Sequence, residues 1–306
     1  MKTFNWEQYI QNYPDLSGFT REKAIRHYNR FGKKENRTDS VLPDFNNGII
    51  SGEKIQLRCD YFIGTLYDIN SNPLIKLEVH KFPEKWLKFS SDVKKECKIF
   101  CYTHRMFEFM DLLHGIEFPF DIYFHNSDEN FTEEMYQTLK KVPFVKQIYS
   151  QNNTVKEVIT LPIGQANSSW KHGNSKILGD KMKCIEKSMD CVEKTMGIFL
   201  NFNITTPKRV GLRDILNFIP WVENKEYQEY IDTLAKYRFC ICVEGNGLDT
   251  HRFWECVYLK VIPICVKNKW TEIMKDKVHM ILLDKWEDLK DYPLNYTWRE
   301  YQCIDI

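Results

Sequence analysis

The chain has 306 residues, of which 43% are hydrophobic and 28% are charged, and its formal net charge is +1. This composition is typical of a globular protein of about two domains. The small net charge excludes a strong general attraction to nucleic acid or to an anionic membrane. No apolar run is long enough to span a bilayer, and the N-terminus lacks the apolar core of a signal peptide. We therefore expect a cytoplasmic protein with no membrane span and no nucleic-acid partner.

The 10 cysteines do not form a disulfide pattern. Four of them lie in apolar runs, where a thiol packs as a small hydrophobic side chain. These four are Cys240, Cys242, Cys256 and Cys265. Cys97 and Cys101 have no accompanying pair of histidines. We therefore expect neither disulfide bonds nor a zinc site.

Residues 1–40 predict a short helical hairpin. The first helix carries apolar residues at helical spacing and ends before Pro14. The second begins after Thr20, a possible N-cap, and stops at Gly32. Residues 38–53 are rich in turn-forming residues and predict a linker.

From residue 54 onward, short apolar runs alternate with amphipathic segments, which predicts two parallel-sheet α/β domains. We place them at 54–180 and 195–290, with a seam near 175–195 and a tail at 291–306. The predicted strands are 98–103, 120–125, 144–150 and 157–163 in the first domain, and 196–203, 238–243, 261–266 and 278–283 in the second. The clearest predicted helices are 224–237, 249–259 and 270–276.

The segment 239–265 carries the strongest functional signal. A buried strand ends in a loop with two glycines, and a helix rich in charge follows. We expect the glycines to take positive φ and let a ligand approach, and the helix N-terminus to bind phosphate. The candidate sugar-donor residues are Glu244, Gly245, Asn246, Gly247, Asp249, His251, Arg252 and Glu255. Asp249 and Thr250 are alternative helix caps, and Glu255 is placed to accept hydrogen bonds from a ribose.

This segment resembles the donor-binding region of exostosin-like glycosyltransferases, as found in large DNA viruses and bacteria. The match consists of Arg252, Glu255 and the run Val261–Ile264, whereas Lys260 stands where the family usually has glycine. The layout also resembles that of α-1,3-fucosyltransferases. The resemblance implies a GT-B fold, in which two Rossmann-like domains face a cleft, and inverting chemistry that needs no metal cofactor.

Two further blocks are similar to proteins of this group. Residues 150–174 match a block of uncharacterised members at Leu161–Gly164, Asn167, Trp170, His172 and Gly173. The N-terminal hairpin is similar to a small module of such proteins. On this basis the acceptor side of the site is expected to include Asn167, Trp170 and His172, and Asn126 is added because it directly follows the predicted strand 120–125.

The remaining candidates follow two other predicted strands. Lys208 and Arg209 are expected to open a helix and neutralise a leaving diphosphate, with Arg209 favoured for its bidentate geometry. Asp128, and after it His125, are candidates for the general base in the first domain. Asp128 together with Ser127 equally suits the cap of a helix over 129–141. No Asp-x-Asp motif for a catalytic metal occurs in the chain.

These features predict a glycosyltransferase that moves a sugar from a nucleoside-diphosphate sugar to a hydroxyl of a glycan or glycoprotein. The alternative is a non-catalytic protein that binds nucleotide sugars or glycans. A metal-dependent phosphatase or nucleotidyltransferase is disfavoured because clustered metal-binding carboxylates are missing.

Overall fold

The structure, a computed structural model, describes residues 4–33, 48–63, 97–167, 185, 188–189 and 193–299. Two parallel β-sheets with accompanying helices form most of the described chain. The predicted α/β class is therefore confirmed. The predicted seam falls mostly on residues outside the described ranges.

The N-terminal unit contains helices α1 (Trp6–Asn12) and α2 (Arg21–His27), and α2 continues into a π-turn that ends at Gly32. Thr20 caps α2 as predicted, because its side chain accepts a hydrogen bond from the Lys23 N–H. The helical run ends at Gly32 as predicted, but Gly32 is not a left-handed cap. Its φ is not positive, and a β-carbon there would lie 2.2 Å from the Tyr9 hydroxyl oxygen. Close packing against Tyr9 therefore requires the glycine.

The first sheet contains five parallel strands in the order β1-β2-β3-β4-β5. They are β1 (Tyr61–Ile63), β2 (Cys97–Tyr102), β3 (Phe120–His125), β4 (Val145–Ser150) and β5 (Ile159–Thr160). The accompanying helices are α3 (Gly52–Leu57), α4 (Met110–His114) and α5 (Glu133–Leu139). Four strands were predicted from the sequence. The three-residue β1 was missed because so short a strand carries no measurable periodicity.

The second sheet contains four parallel strands in the order β6-β7-β8-β9. They are β6 (Met196–Phe199), β7 (Tyr237–Ile241), β8 (Ile262–Val266) and β9 (Ile281–Leu283). The helices are α6 (Leu212–Ile215), α7 (Tyr227–Leu234), α8 (His251–Tyr258) and α9 (Lys269–Met274). All four strands were predicted, because parallel strands buried on both faces appear as unbroken apolar runs.

The two faces of the second sheet pack into different cores. Successive side chains of β7 point to opposite faces of the sheet. Cys240 therefore lies in the core beneath α8, and Phe239 lies in the core on the other face. The opposite core also takes in Tyr296 and Trp298 from the predicted tail. The described part of residues 291–306 therefore packs onto the second sheet.

The end of α8 has an unusual residue at a position that favours glycine. Lys260 has a φ of 55°, in the left-handed region. The N–H of Lys260 bonds the Val257 carbonyl at 3.2 Å, and the N–H of Val261 bonds the Cys256 carbonyl at 2.8 Å. This pair of bonds is the Schellman motif, whose C′ residue is usually glycine. The departure of Lys260 from the exostosin-like pattern thus falls on a left-handed backbone position.

We expect Lys260→Gly to raise the free energy of unfolding by about 1 kcal/mol, because a left-handed conformation costs about that much for a residue with a β-carbon. Lys260→Ala is the matched control, since it removes the lysine chain but keeps the β-carbon, and it should give no gain. Urea denaturation measures both. Equal effects of the two substitutions would contradict the assignment of strain to the backbone.

Candidate functional site

The loop that follows β7 lies against the described residues up to 167, which include the first sheet and are called the first half below. The described residues from 193 onward are called the second half. The Asn246 side-chain N–H donates to the Asp128 carboxylate at 3.0 Å, and the Asp249 backbone N–H donates to the Asn152 side chain at 2.8 Å. In the other direction, the Ile163 N–H donates to the Asp249 carboxylate at 2.7 Å. Candidates from both predicted domains are thus brought together at the carboxyl edges of the two sheets.

The two loop glycines do not have the conformation expected from the sequence. Neither Gly245 nor Gly247 has positive φ. A β-carbon on Gly247 would lie 2.5 Å from the side-chain nitrogen of Asn152, whereas one on Gly245 would make ordinary contacts. Gly247 is therefore required for the close approach of this loop to the first half.

Asp249 is buried, and its carboxylate is already engaged. Besides the Ile163 N–H, the Trp254 indole N–H contacts the two oxygens at 2.8 and 3.0 Å. The helix cap is Thr250, whose hydroxyl accepts from the Phe253 N–H. Burial raises the pKa of Asp249 to about 7, although its N–H partners oppose the shift. Asp249 therefore joins the two halves, a position that leaves no carboxylate oxygen for a ligand.

His251 makes a second contact of this kind. Its Nδ1 donates to the Gly164 carbonyl at 2.6 Å. Gly164 itself has a φ of 60°, and a β-carbon there would lie 2.0 Å from the Ile50 carbonyl oxygen. The first turn of α8 is thus held against the block 161–167. The His251 ring therefore binds this backbone carbonyl, whereas the sequence predicted that it would bind a phosphate.

Arg252 and Glu255 form a network with two tyrosines that the sequence analysis missed. Tyr227 and Tyr230 donate to the two Glu255 oxygens at 3.1 and 2.5 Å. The Arg252 guanidinium lies 3.8 Å from Glu255, stacks 4.9 Å from the centre of the Tyr230 ring, and bonds the Asn201 carbonyl. Glu255 thus already accepts from two hydroxyls. The i,i+3 tyrosine pair on predicted helix 224–237 was the available signal.

Lys208 and Arg209 lie on a 3-10 turn, Pro207–Arg209, and not at the start of an α-helix as predicted. The α-helix after it, α6, has only four residues. Arg209 donates to the carbonyls of Asn203 and Glu244 at 2.9 and 2.8 Å, and so bridges the loops after β6 and β7. Lys208 pairs with the Glu244 carboxylate at 2.7 Å.

Two arginines therefore lie together at the carboxyl edge of the second sheet. Burial and the nearby charge of Arg252 lower the pKa of Arg209. Among the described residues Arg209 forms no ion pair with an acid. An anion bound here would relieve the repulsion between the two guanidinium groups.

A cavity of about 360 Å³ opens beside this edge. It lies at the carboxyl ends of β7 and β8 and has the size of a small-ligand pocket, about 300–1,000 Å³. Its lining includes Lys208, Glu244, Leu248, Thr250, Asn268, Trp270 and Trp286. Asn268 donates to Glu244 at 2.6 Å, and the buried Trp270 indole N–H has no hydrogen-bond partner in the described structure. Asn268, Trp270 and Trp286 were not predicted from the sequence.

A smaller cavity, of about 150 Å³, lies beside Arg252. Asn201, Asn203 and Arg252 contribute to its lining, together with Tyr230. The smaller cavity is therefore bordered by Arg252, whereas the larger one is bordered by Lys208 and by Glu244, whose carbonyl Arg209 bonds.

The first-half candidates separate into one exposed and several buried residues. Asp128 is exposed, and its described partner is Asn246. Helix α5 begins at Glu133 with Thr132 as its cap, so the expectation that Ser127 and Asp128 cap a helix over 129–141 is wrong. Ser127 instead accepts from the Glu129 N–H within a turn.

His125 is buried and does not face the cleft as expected. Its Nε2 lies 2.9 Å from the Pro162 carbonyl and its Nδ1 lies 3.0 Å from the Asn126 side chain. Burial lowers its pKa to about 4, so the ring is neutral at pH 7. This placement argues against His125 as the general base and leaves Asp128 as the candidate.

The acceptor-side residues are also partly structural. Asn126 has a φ of 57° and accepts a hydrogen bond of 2.7 Å from Asn167. Asn167 in turn accepts from the Glu53 N–H in α3. Both asparagines are buried, and they join the end of β3 to α3. Trp170 and His172 lie outside the described residues.

No protein-family model matches this chain, and no curated protein matches it either. No helix in the described ranges is both long and apolar enough to cross a membrane. Fold and site geometry are therefore the observations from which a function is argued.

The raised pKa of Asp249 predicts a pH effect on stability. Between about pH 4 and pH 7 the folded chain holds a proton at Asp249 that the unfolded chain has released, since the ordinary pKa is 3.8. Stability from this group therefore falls as the pH rises through that window. We expect the difference in unfolding free energy, parent minus Asp249→Asn, to decline from pH 4 to 7. The opposite contribution of His125 is common to both proteins and cancels.

Urea denaturation at several pH values measures this difference. The part of the difference that does not depend on pH reflects only the altered hydrogen bonds. A difference that shows no decline from pH 4 to 7, or that rises, would contradict the raised pKa.

Proposed function

We propose that the protein is a metal-independent glycosyltransferase of the GT-B type, whose second half binds the nucleoside-diphosphate sugar. The observation that carries the proposal is the pair Arg209 and Arg252 at the carboxyl edge of the second sheet, where a cavity of about 360 Å³ is lined by the neighbouring Lys208 and Glu244 and a smaller one by Arg252. In parallel α/β sheets this edge is where ligands bind. The resemblance to exostosin-like enzymes supports the same assignment.

The diphosphate would bind at the N-terminus of α8, near Arg209 and Lys208. Backbone N–H groups and cations there supply positive charge without a metal ion. The cavity of about 360 Å³ is the candidate for the rest of the nucleotide, since it offers a tryptophan N–H and the Asn268 amide. Glu255, with its two tyrosine partners, positions Arg252.

The reaction then requires a base on the opposite side of the cleft. The acceptor hydroxyl oxygen attacks the anomeric carbon, and its proton passes to the Asp128 carboxylate. The bond between that carbon and the diphosphate oxygen breaks, and the electron pair leaves with the diphosphate. Attack from the face opposite the leaving group inverts the anomeric configuration. Asp128 is suited to this role because it is exposed and lies across from the loop after β7.

One observation favours the alternative of a non-catalytic nucleotide-sugar-binding protein. The Asp128 carboxylate is hydrogen-bonded to Asn246, as expected of a residue that only holds the two halves together. Turnover distinguishes the alternatives, because such a structural contact supports ligand binding but not sugar transfer.

We expect Arg209→Ala to weaken the binding of a nucleoside diphosphate by about 1.5–3 kcal/mol, the loss of a hydrogen bond to a charged group. Lys236→Ala is the matched control, because it removes one positive charge at the opposite end of β7. Calorimetry with UDP and GDP in EDTA measures both variants. Equal affinities of the two variants, or binding that appears only with Mn²⁺, would overturn the site.

We expect Asp128→Asn to lower turnover by about 10²–10⁴, the contribution of a general base. Sugar-donor affinity should stay unchanged, because asparagine can still bond Asn246. The control is Glu129→Gln, an adjacent exposed carboxylate on the same turn. Sugar transfer and calorimetry are measured on each variant. Unchanged turnover in Asp128→Asn would remove it as the base, and no turnover in the parent with any nucleotide sugar would favour the binding-protein alternative.

A further inference from the structure

Three cysteines meet beneath α8. The sulfur atoms of Cys240, Cys242 and Cys256 all lie within 4.8 Å of one another, and those of Cys242 and Cys256 are 3.8 Å apart. Cys240 and Cys242 lie on the same face at the end of β7, and Cys256 lies on the facing side of α8. All three are buried.

These separations match the spacing of thiolates around one metal ion. A Zn–S bond of about 2.3 Å with tetrahedral angles places two sulfurs about 3.8 Å apart. A trigonal arrangement places them about 4.0 Å apart by the same bond length. The observed cluster therefore needs little rearrangement to surround an ion.

The surroundings supply a fourth thiol and a compensating charge. Cys265, on β8, lies in the same core as these three cysteines, although outside their 4.8 Å group. The charged Arg252 guanidinium interacts electrostatically with the Cys240 and Cys256 sulfurs. Thiolates bound to a divalent ion carry excess negative charge, and a half-buried arginine beside them offsets part of it.

The cavity gives an ion a route to the cluster. Cys242 and Cys265 both line the cavity of about 360 Å³, whereas Cys240 and Cys256 lie behind them. Sequence spacing alone gave no sign of the site, because the four cysteines come from two strands and a helix and lack the paired C-x-x-C pattern.

We propose that Cys240, Cys242 and Cys256 bind one thiophilic d¹⁰ metal ion such as Zn²⁺, with Cys265 as the fourth ligand. Binding releases one proton from each ligating thiol to solvent. The ion would tie the end of β7 to α8, and so fix the loop that begins at Cys242. The site is structural and separate from the diphosphate position, so it does not depend on the proposed reaction.

The test uses the full chain, reduced, loaded with Zn²⁺ and then passed over a chelating resin. We expect one equivalent of zinc by elemental analysis and a rise in melting temperature on loading. Cd²⁺ in place of Zn²⁺ should produce the ultraviolet sulfur-to-cadmium charge-transfer band. Absence of both retained zinc and the cadmium band in the parent protein would overturn the proposal and leave the thiols as packed hydrophobic groups.

Variants identify the ligands. Cys242→Ala and Cys256→Ala should lose retained zinc, whereas Cys59→Ala, a buried thiol of the first half, should keep it. Circular dichroism verifies that each variant is folded. If a variant does not fold, alkylation of the native parent replaces it, and Zn²⁺ should then protect Cys242 and Cys265. Loss of zinc in Cys59→Ala, or alkylation unaffected by Zn²⁺, would overturn the assignment.

Discussion

A buried carboxylate that joins the two halves of the chain organises the candidate site. Asp249 accepts hydrogen bonds from Ile163 of the first half and from Trp254 of its own helix, while its backbone N–H binds Asn152. Burying this carboxylate without a cation is costly, and only the aligned N–H groups offset the cost. The carboxylate thereby fixes both the start of α8 and the loop before it. Gly247 completes the arrangement, because only a residue without a β-carbon fits against Asn152.

The charged residues around the contacts of Asp249 fall into two groups, those that stabilise the structure and those that remain available to a ligand. The buried Glu255 and the half-buried His251 stabilise the framework, since Glu255 binds two tyrosines and His251 binds a backbone carbonyl of the first half. Exposed ones remain available to a ligand, as Lys208 and Asp128 are. Arg209 belongs to both groups, since it bridges two loops through carbonyls and still lacks an acidic partner among the described residues. The proposed chemistry therefore depends on Lys208, Asp128 and Arg209, and the buried and half-buried side chains hold the elements that carry them.

Sequence patterns predicted the elements better than the side-chain contacts. Strands of the second sheet were predicted because burial on both faces leaves apolar runs, and the glycine loop followed from their ends. The direction of a side chain depends on single-residue register and on partners distant in sequence. His125 shows this limit, since it follows a strand as expected but bonds Pro162 in the interior. Asp249 and Tyr227 show it too, because their partners lie 86 and 28 residues away.

The loop after β7 touches both halves of the chain, and these contacts couple the binding of ligands on its two sides. Asn246 donates to Asp128 of the first half, while the backbone N–H of Asp249 is held by Asn152. A ligand that orders this loop from one side must change the free energy of binding on the other side, and linkage makes the effect equal in both directions. In the proposed reaction, the nucleotide sugar would displace Asn246 and release Asp128 for the acceptor. Binding of either substrate would then favour binding of the other.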